Sequence, residues 1–214
     1  MIQVMSTANA MLTEFIVPAY SPVAAARSLT DLLRKSSARH QQLCPRQVLG
    51  VRMGLLGLAW LGLAASPGDK RLLVIVETDG CFADGIVATT GCSIGARTLR
   101  VIDHGKVAAV FVDGETDRAV RIAPQPQARK RALEYAPGAP SKWHAQRDGY
   151  QIMPDDELFT VRLIELTISL EQLLSKPGCK ATCDLCGEEI INEREVRQHG
   201  QLLCRSCAGD RYWR

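Results

Sequence analysis

RLLVIVETDGCFADGIVATT, residues 71–90, holds the sharpest change of pattern in the chain. Its first part, Arg71–Thr78, is continuously apolar from Leu72 to Val76, which is the pattern of a strand buried on both faces. Asp79-Gly80 then breaks the run, and Cys81–Thr90 reads as a short helix. Upstream, Cys44-Pro45 opens a longer helix that runs to about Leu63, with proline at the first helical position. Gly50, Gly54 and Gly57 fall on one strip of it. An interior glycine costs a helix about 1 kcal/mol relative to alanine, so the strip predicts the close approach of another backbone. Val48–Ala65 carries one charge, Arg52, in 18 residues. A bilayer core needs about 20 residues, and a central Arg there costs about 3 kcal/mol. With Pro45 before it and Ser66-Pro67-Gly68-Asp69 after it, the segment reads as a buried helix of a soluble domain.

Further out, Ser21-Pro22 signals an earlier helix, with Leu29, Leu32 and Leu33 at helical spacing and an end near Lys35. Ser36–Leu43 is a loop carrying His40. Downstream, Thr98–Ile102 and Lys106–Val112 read as two strands of a hairpin whose turn is Asp103-His104-Gly105. Ala119–Ile122 reads as an edge strand, Pro124–Tyr135 as a basic helix, Ala136–Asp148 as loop and Leu158–Thr167 as a strand. Helices alternating with antiparallel hairpins give an α+β core, followed by a small C-terminal zinc ribbon. The chain divides into an N-terminal extension (1–20), the core (21–174), a linker with Pro177 and Gly178 (175–182) and the ribbon (183–214).

At about 150 residues per domain, 214 residues make one domain and a small attachment. An apolar fraction of 46% and a charged fraction of 23% exclude a disordered or fibrous chain. A net charge of +3 does not advertise a nucleic-acid or membrane partner. The anomaly is cysteine: eight in all, five of them in the last 36 residues. Met1–Ala10 lacks the basic-then-apolar start of an export signal, so the thiols are expected in a reducing cytoplasm, metal-bound or reactive.

Cys183-x-x-Cys186 and Cys204-x-x-Cys207, 17 residues apart, have the spacing of two knuckles that close four thiolates around a tetrahedral ion. Gly187 eases the first turn, and His199-Gly200 makes a hairpin tip that returns the second pair to the first. Zinc is favoured over iron, since small four-cysteine modules without other cofactor signals are most often structural zinc sites. A tail this short needs the ion to fold. Arg194, Arg197, Arg205, Arg211 and Arg214 are nearly cancelled by Glu188, Glu189, Glu193 and Glu195. Protein docking or stabilisation is therefore favoured over nucleic-acid binding.

In the core, Cys44 and Cys81 sit at helix N-termini, where backbone amides and the dipole are expected to lower a thiol's pKa. Cys92 lies in a Gly-flanked loop. His40 precedes Cys44 by four residues, and Asp84 follows Cys81 by one turn on the same face. Thiolate, imidazole and carboxylate could converge on one metal or substrate, or be ordinary half-buried side chains.

The order Cys44-Pro45, Gly50-Val51-Arg52-Met53-Gly54, Cys81-Phe82-Ala83-Asp84-Gly85-Ile86, Thr90-Gly91-Cys92-Ser93-Ile94-Gly95 and Asp103-His104-Gly105-Lys106 resembles the FmdE family, named for the E component of formylmethanofuran dehydrogenase. The similarity covers about Leu29–Leu170, and the tail resembles the ribbon many members carry there. The resemblance implies an α+β core, a homodimer, and a metal site near the motif cysteines, here His40, Cys44, Cys81 and Cys92. One departure is plain: the family's His-Gly-His-x-Cys-Pro-Gly is His40-Gln41-Gln42-Leu43-Cys44-Pro45-Arg46 in this chain. An amide at 42 is a poor ligand for a soft ion. The resemblance further implies an accessory component of a larger molybdenum- or tungsten-type oxidoreductase complex rather than a catalyst.

Three functions follow. The first is a metal-binding accessory or regulatory protein with zinc in the ribbon and a second divalent ion in the core. The second is a thiol-dependent enzyme or redox protein, with Cys44 or Cys81 as nucleophile and Asp84 or His40 as proton acceptor. The third is a regulator whose ribbon contacts nucleic acid. His104 and His144 read as solvated loop residues, Cys179 as a free linker thiol, and Arg129-Lys130-Arg131 as a solvated helix face. A phosphate-cradling glycine loop, GxSxG and HExxH are absent from the sequence.

Overall fold

The computed structural model describes residues 28–38, 40–65, 70–170 and 178–213. The helix start expected at Ser21-Pro22 lies outside these residues. Helix α1 is described from Leu29 to Ser37, and the Ser28 hydroxyl accepts the Asp31 amide at its head. Helix α2 spans Pro45–Leu61 and buries 12 of its 17 residues. Then come β1 (Leu72–Val76), α3 (Cys81–Thr90), β2 (Leu99–Val101), β3 (Ala109–Asp113) and β4 (Ala119–Pro124). Helices α4 (Ala128–Tyr135), α5 (Lys142–Ile152) and α6 (Asp155–Leu158) lead into β5 (Phe159–Ile164). The tail holds β6 (Lys180–Thr182), β7 (Glu189–Ile191), β8 (Val196–Gln198) and β9 (Gln201–Leu203). Strand β6 thus begins inside the stretch expected as linker.

The core is α+β: one five-stranded sheet in the order β2-β1-β3-β4-β5, packed with helices. Strand β1 sits inside the sheet, as its unbroken apolar run requires. Leu72, Val74 and Val76 join the main core with α2 and α3, while Leu73 and Ile75 pack on the opposite face with Val110 and Val112. Helix α3 is the crossover that carries the chain from β1 to β2, which lie parallel.

Three expectations are corrected. Strands β2 and β3 do not form a hairpin, because β1 lies between them, parallel to β2 and antiparallel to β3. The Asp103-His104-Gly105 turn instead wraps the end of β1. The His104 and Lys106 amides both donate to the Glu77 carbonyl, at 2.9 and 3.1 Å. Strand β4 is internal, because β5 pairs outside it and forms the edge. The expected loop at 136–148 contains most of α5, capped by the Ser141 hydroxyl.

Of the glycine strip, Gly50 brings a backbone close, while Gly54 faces the Thr89 side chain and Gly57 the Phe111 ring. A Cβ on Gly50 would collide with the Phe82 carbonyl oxygen, and one on Gly85 would lie 2.5 Å from the Gln47 oxygen. Helices α2 and α3 therefore meet at their backbones. The Thr89 hydroxyl, buried in the same seam, donates to the Val51 and Gly85 carbonyls. Arg52, the lone charge of α2's apolar stretch, donates to the Tyr150 and Met153 carbonyls at 2.9 and 2.6 Å and pairs with Asp155. It satisfies carbonyls at the C-terminal end of α5 that would otherwise lack donors. Among the described residues no helix is long and apolar enough to cross a membrane.

Candidate metal centre

The tail is two short hairpins: β6–β7, whose connection carries Cys183 and Cys186, and β8–β9, which Cys204 and Cys207 follow. His199-Gly200 forms the β8–β9 turn, both residues at positive φ. The hairpins bring the sulfurs of Cys183, Cys186, Cys204 and Cys207 all within 4.8 Å of one another. Backbone amides point at these sulfurs. The Cys204 amide lies 3.2 Å from Cys183 Sγ, and the Cys207 amide 3.4 Å from Cys204 Sγ. The Asp184 carboxylate accepts the Leu202 amide at 2.7 Å, tying the first knuckle to β9.

Electrostatics makes this quartet a cation site. Amide donors, first those of Cys186 and Cys204, lower the Cys183 thiol to about 6. The neighbouring Cys204 sulfur, with further help from burial, pushes Cys207 up to about 12. One sulfur ionises readily, whereas four at this spacing repel one another without a positive charge among them. The donor set and the amides around it fit a structural four-thiolate ion. Among the described residues, Cys183, Ile190 and Leu203 are the buried core of the tail, too small to fold it by apolar burial.

The core residues gather only in part. His40, from the α1–α2 loop, places Nε2 2.8 Å from Asp84 Oδ2 on α3. Cys44, at the head of α2, stands near the Cys81 thiol at the head of α3. Four of the five expected groups therefore lie at one end of the α2–α3 pair, which the glycine seam holds together. Cys92 lies past the other end of the ten-residue α3, about 15 Å along the helix axis, and its buried Sγ points at the Leu72 carbonyl. Among the described residues, the tail quartet is the one group of three or more such side chains whose ligand atoms all come within 4.8 Å of one another.

The expected lowering of Cys81 by its helix N-terminus is overturned. Burial raises this thiol, the Cys44 sulfur and the Asp84 carboxylate raise it further, and together they outweigh the local amides. Burial also raises Cys92. A neutral His40 ring that donates from Nε2 to Asp84 keeps its lone pair on Nδ1, the arrangement in which a carboxylate orients a ligating histidine.

Sequence reasoning missed a cleft beside Cys44 lined by Arg46, Arg129, Trp143, Gln146 and Tyr150. Reading 136–148 as loop hid it. The spacing 143, 146 and 150 is a helical face and could have found it.

Comparison with known proteins agrees with the fold. A protein described as a tungsten formylmethanofuran dehydrogenase FmdE-like protein, from Syntrophus aciditrophicus, superposes with a TM-score of 0.54 at 20% identity, covering 87% of this chain and 95% of that one. A probable S-adenosyl-L-methionine-binding protein of Archaeoglobus fulgidus is 37% identical over 98 residues, 44% of this chain. The matched region spans about a quarter, 26%, of that relative's length. Residues 39–160, including His40, Cys44, Cys81 and Cys92, match the family described as "FmdE, Molybdenum formylmethanofuran dehydrogenase operon". The chain belongs to the FmdE family.

Proposed function

We propose that this chain is a metal-binding accessory protein of a formylmethanofuran-dehydrogenase-type oxidoreductase system, with zinc as the structural ion of its tail. The observation that carries the reading is the cysteine quartet at 183, 186, 204 and 207, with four sulfurs mutually within 4.8 Å and amides directed at them. A second divalent ion binds at the head of α2 and α3, through His40, Cys44 and Cys81, with Asp84 orienting the histidine. Support comes from the His40–Asp84 contact and the nearness of Cys44 to Cys81. Gln42 contributes no ligand, so this site is weaker than the tail's. The raised Cys81 thiol argues against this residue as a free thiolate nucleophile. The reading includes a homodimer in the cytoplasm. The exposed Ile94 and the Val101 side chain on edge strand β2 support an associating surface.

Element-specific anomalous scattering on crystals tests both ions together. The expected result is a zinc peak among the four tail sulfurs and a weaker peak between Cys44 and Cys81. Absence of any peak at the tail would refute the zinc assignment. A second reading, S-adenosyl-L-methionine binding, draws on the 37% identity to the Archaeoglobus relative. Equilibrium dialysis with labelled S-adenosyl-L-methionine tests it, and no retention by the protein would dismiss it.

A further inference from the structure

A cleft of about 640 Å³ opens between the first turn of α2, the β4–α4 connection and α5. That volume falls within the range of about 300–1,000 Å³ typical of small-molecule sites. Its lining contains two guanidinium groups, Arg46 and Arg129, and no carboxylate. Arg52, Arg71, Arg121 and Arg147 each face an Asp or Glu at hydrogen-bonding distance. Among the described residues neither Arg46 nor Arg129 has such a partner. Arg129 stands beside Tyr150 in the lining, and Tyr150 is itself 2% exposed. The two helices meet closely here, since a Cβ on Gly149 of α5 would collide with the Ala132 carbonyl oxygen of α4. That packing sets the helix that carries Arg129 against the helix that carries Tyr150.

The remaining wall offers an indole ring, prolines and two amides. Trp143 is braced by the His144 ring at 4.9 Å and by the Arg147 guanidinium at 5.6 Å. Pro124 and Pro126 add apolar surface to the lining, and Gln146 adds an amide. Two guanidiniums without a carboxylate attract an oxyanion and can hydrogen-bond it in a fork, while an indole and prolines favour a flat apolar body.

We propose that this cleft binds a small organic oxyanion, a carboxylate or phosphate on a flat apolar body, with its charge between Arg46 and Arg129 and its body against Trp143. Cys44, a ligand of the proposed core ion, also lines the cleft, but the oxyanion contacts proposed here use the two arginines and Trp143.

Isothermal titration calorimetry on the full chain tests it with three probes: phenyl phosphate, benzoate and the neutral phenol. At least one anion should bind with a Kd of about 1 mM or tighter, and phenol at least about tenfold more weakly. Loss of one charged hydrogen-bond donor corresponds to about a tenfold loss of affinity or more, so R46A and R129A should each show it. Lys130→Ala, which removes a neighbouring base outside the lining, should change binding less than about twofold. Tighter binding of phenyl phosphate points to a phosphate ligand, and tighter binding of benzoate to a carboxylate. Arg46 is exposed and outside the core, so R46A keeps the test valid even if R129A loosens Tyr150. Equal binding of phenol, no binding of either anion at about 20 mM, or equal losses in R46A and K130A would overturn the proposal.

Discussion

Asp113 is 1% exposed, yet it is ionised. Arg71 grips it through two hydrogen bonds of 2.8 Å, and the Glu115 amide and the Thr116 hydroxyl complete its shell. The Arg71 pair, chiefly, holds this carboxyl far below the usual aspartate range. Arg121 does the same, less strongly, for Glu77. A carboxyl depressed in the folded state stabilises it above its unfolded pKa of about 4, and that contribution is lost as the pH falls further. Urea unfolding should therefore show stability flat from about pH 5 to 8 and falling below about pH 4. Asp113→Asn should cost about 2 kcal/mol at pH 7 and flatten the acid limb. An unchanged limb would show that the pair contributes nothing. Arg52 invites a second test at this scale. Replacing it with leucine suits an apolar helix by pattern but strips donors from the Tyr150 and Met153 carbonyls and leaves Asp155 unpaired. The variant should lose about 2 kcal/mol in the same measurement, and a neutral or stabilising result would contradict the assigned role.

Between elements, the α2–α3 seam sets helix propensity against packing. Gly50→Ala should gain about 1 kcal/mol by propensity, but its methyl would strike the Phe82 carbonyl, and overpacking costs about 1–3 kcal/mol or more. Since backbone cannot move aside as a flexible side chain can, packing wins. Thermal unfolding of G50A should show a lower Tm, whereas a higher one would mean that the seam is looser than described. The seam was legible from Gly50 and Gly54 because glycine inside a helix has few other reasons to be there, whereas Gly57 makes room for the Phe111 ring of β3 instead. Strand β1 was legible from its unbroken apolar run. The β2–β3 relation was not, since a turn motif such as Asp103-His104-Gly105 specifies local chain reversal and is silent about a third strand entering between its arms. Helix α5 was hidden for a different reason. Trp143, His144, Asp148 and Gly149 are weak helix formers, and the Arg52 contacts that hold its end come from about 100 residues away in sequence. At the candidate core site, the His40–Asp84 and Cys44–Cys81 encounters followed from motif order. Cys92 did not join them, because a short helix separates its two ends however close they stand in sequence.

At the scale of the whole molecule, two bodies fold by different means. The core buries a continuous apolar cluster from α1 to β5, whereas among the described residues the tail buries Cys183, Ile190 and Leu203, and in the proposed reading an ion among its sulfurs supplies the rest. A hydrogen bond of 2.7 Å from Arg97 to Asn192 links the two. Chelation should consequently remove amide protection in residues 180–203 and leave β1 and β3 protected in hydrogen exchange. Simultaneous loss in both regions would show that the core also depends on the ion. The most direct test of the central claim is metal content, measured by mass spectrometry on the purified full chain and on Cys183→Ser and Cys207→Ser variants. The account predicts about one tightly held zinc per wild-type chain at the tail, lost in each variant while the core stays folded. A wild-type tail that keeps its hydrogen-exchange protection with no metal bound would contradict it.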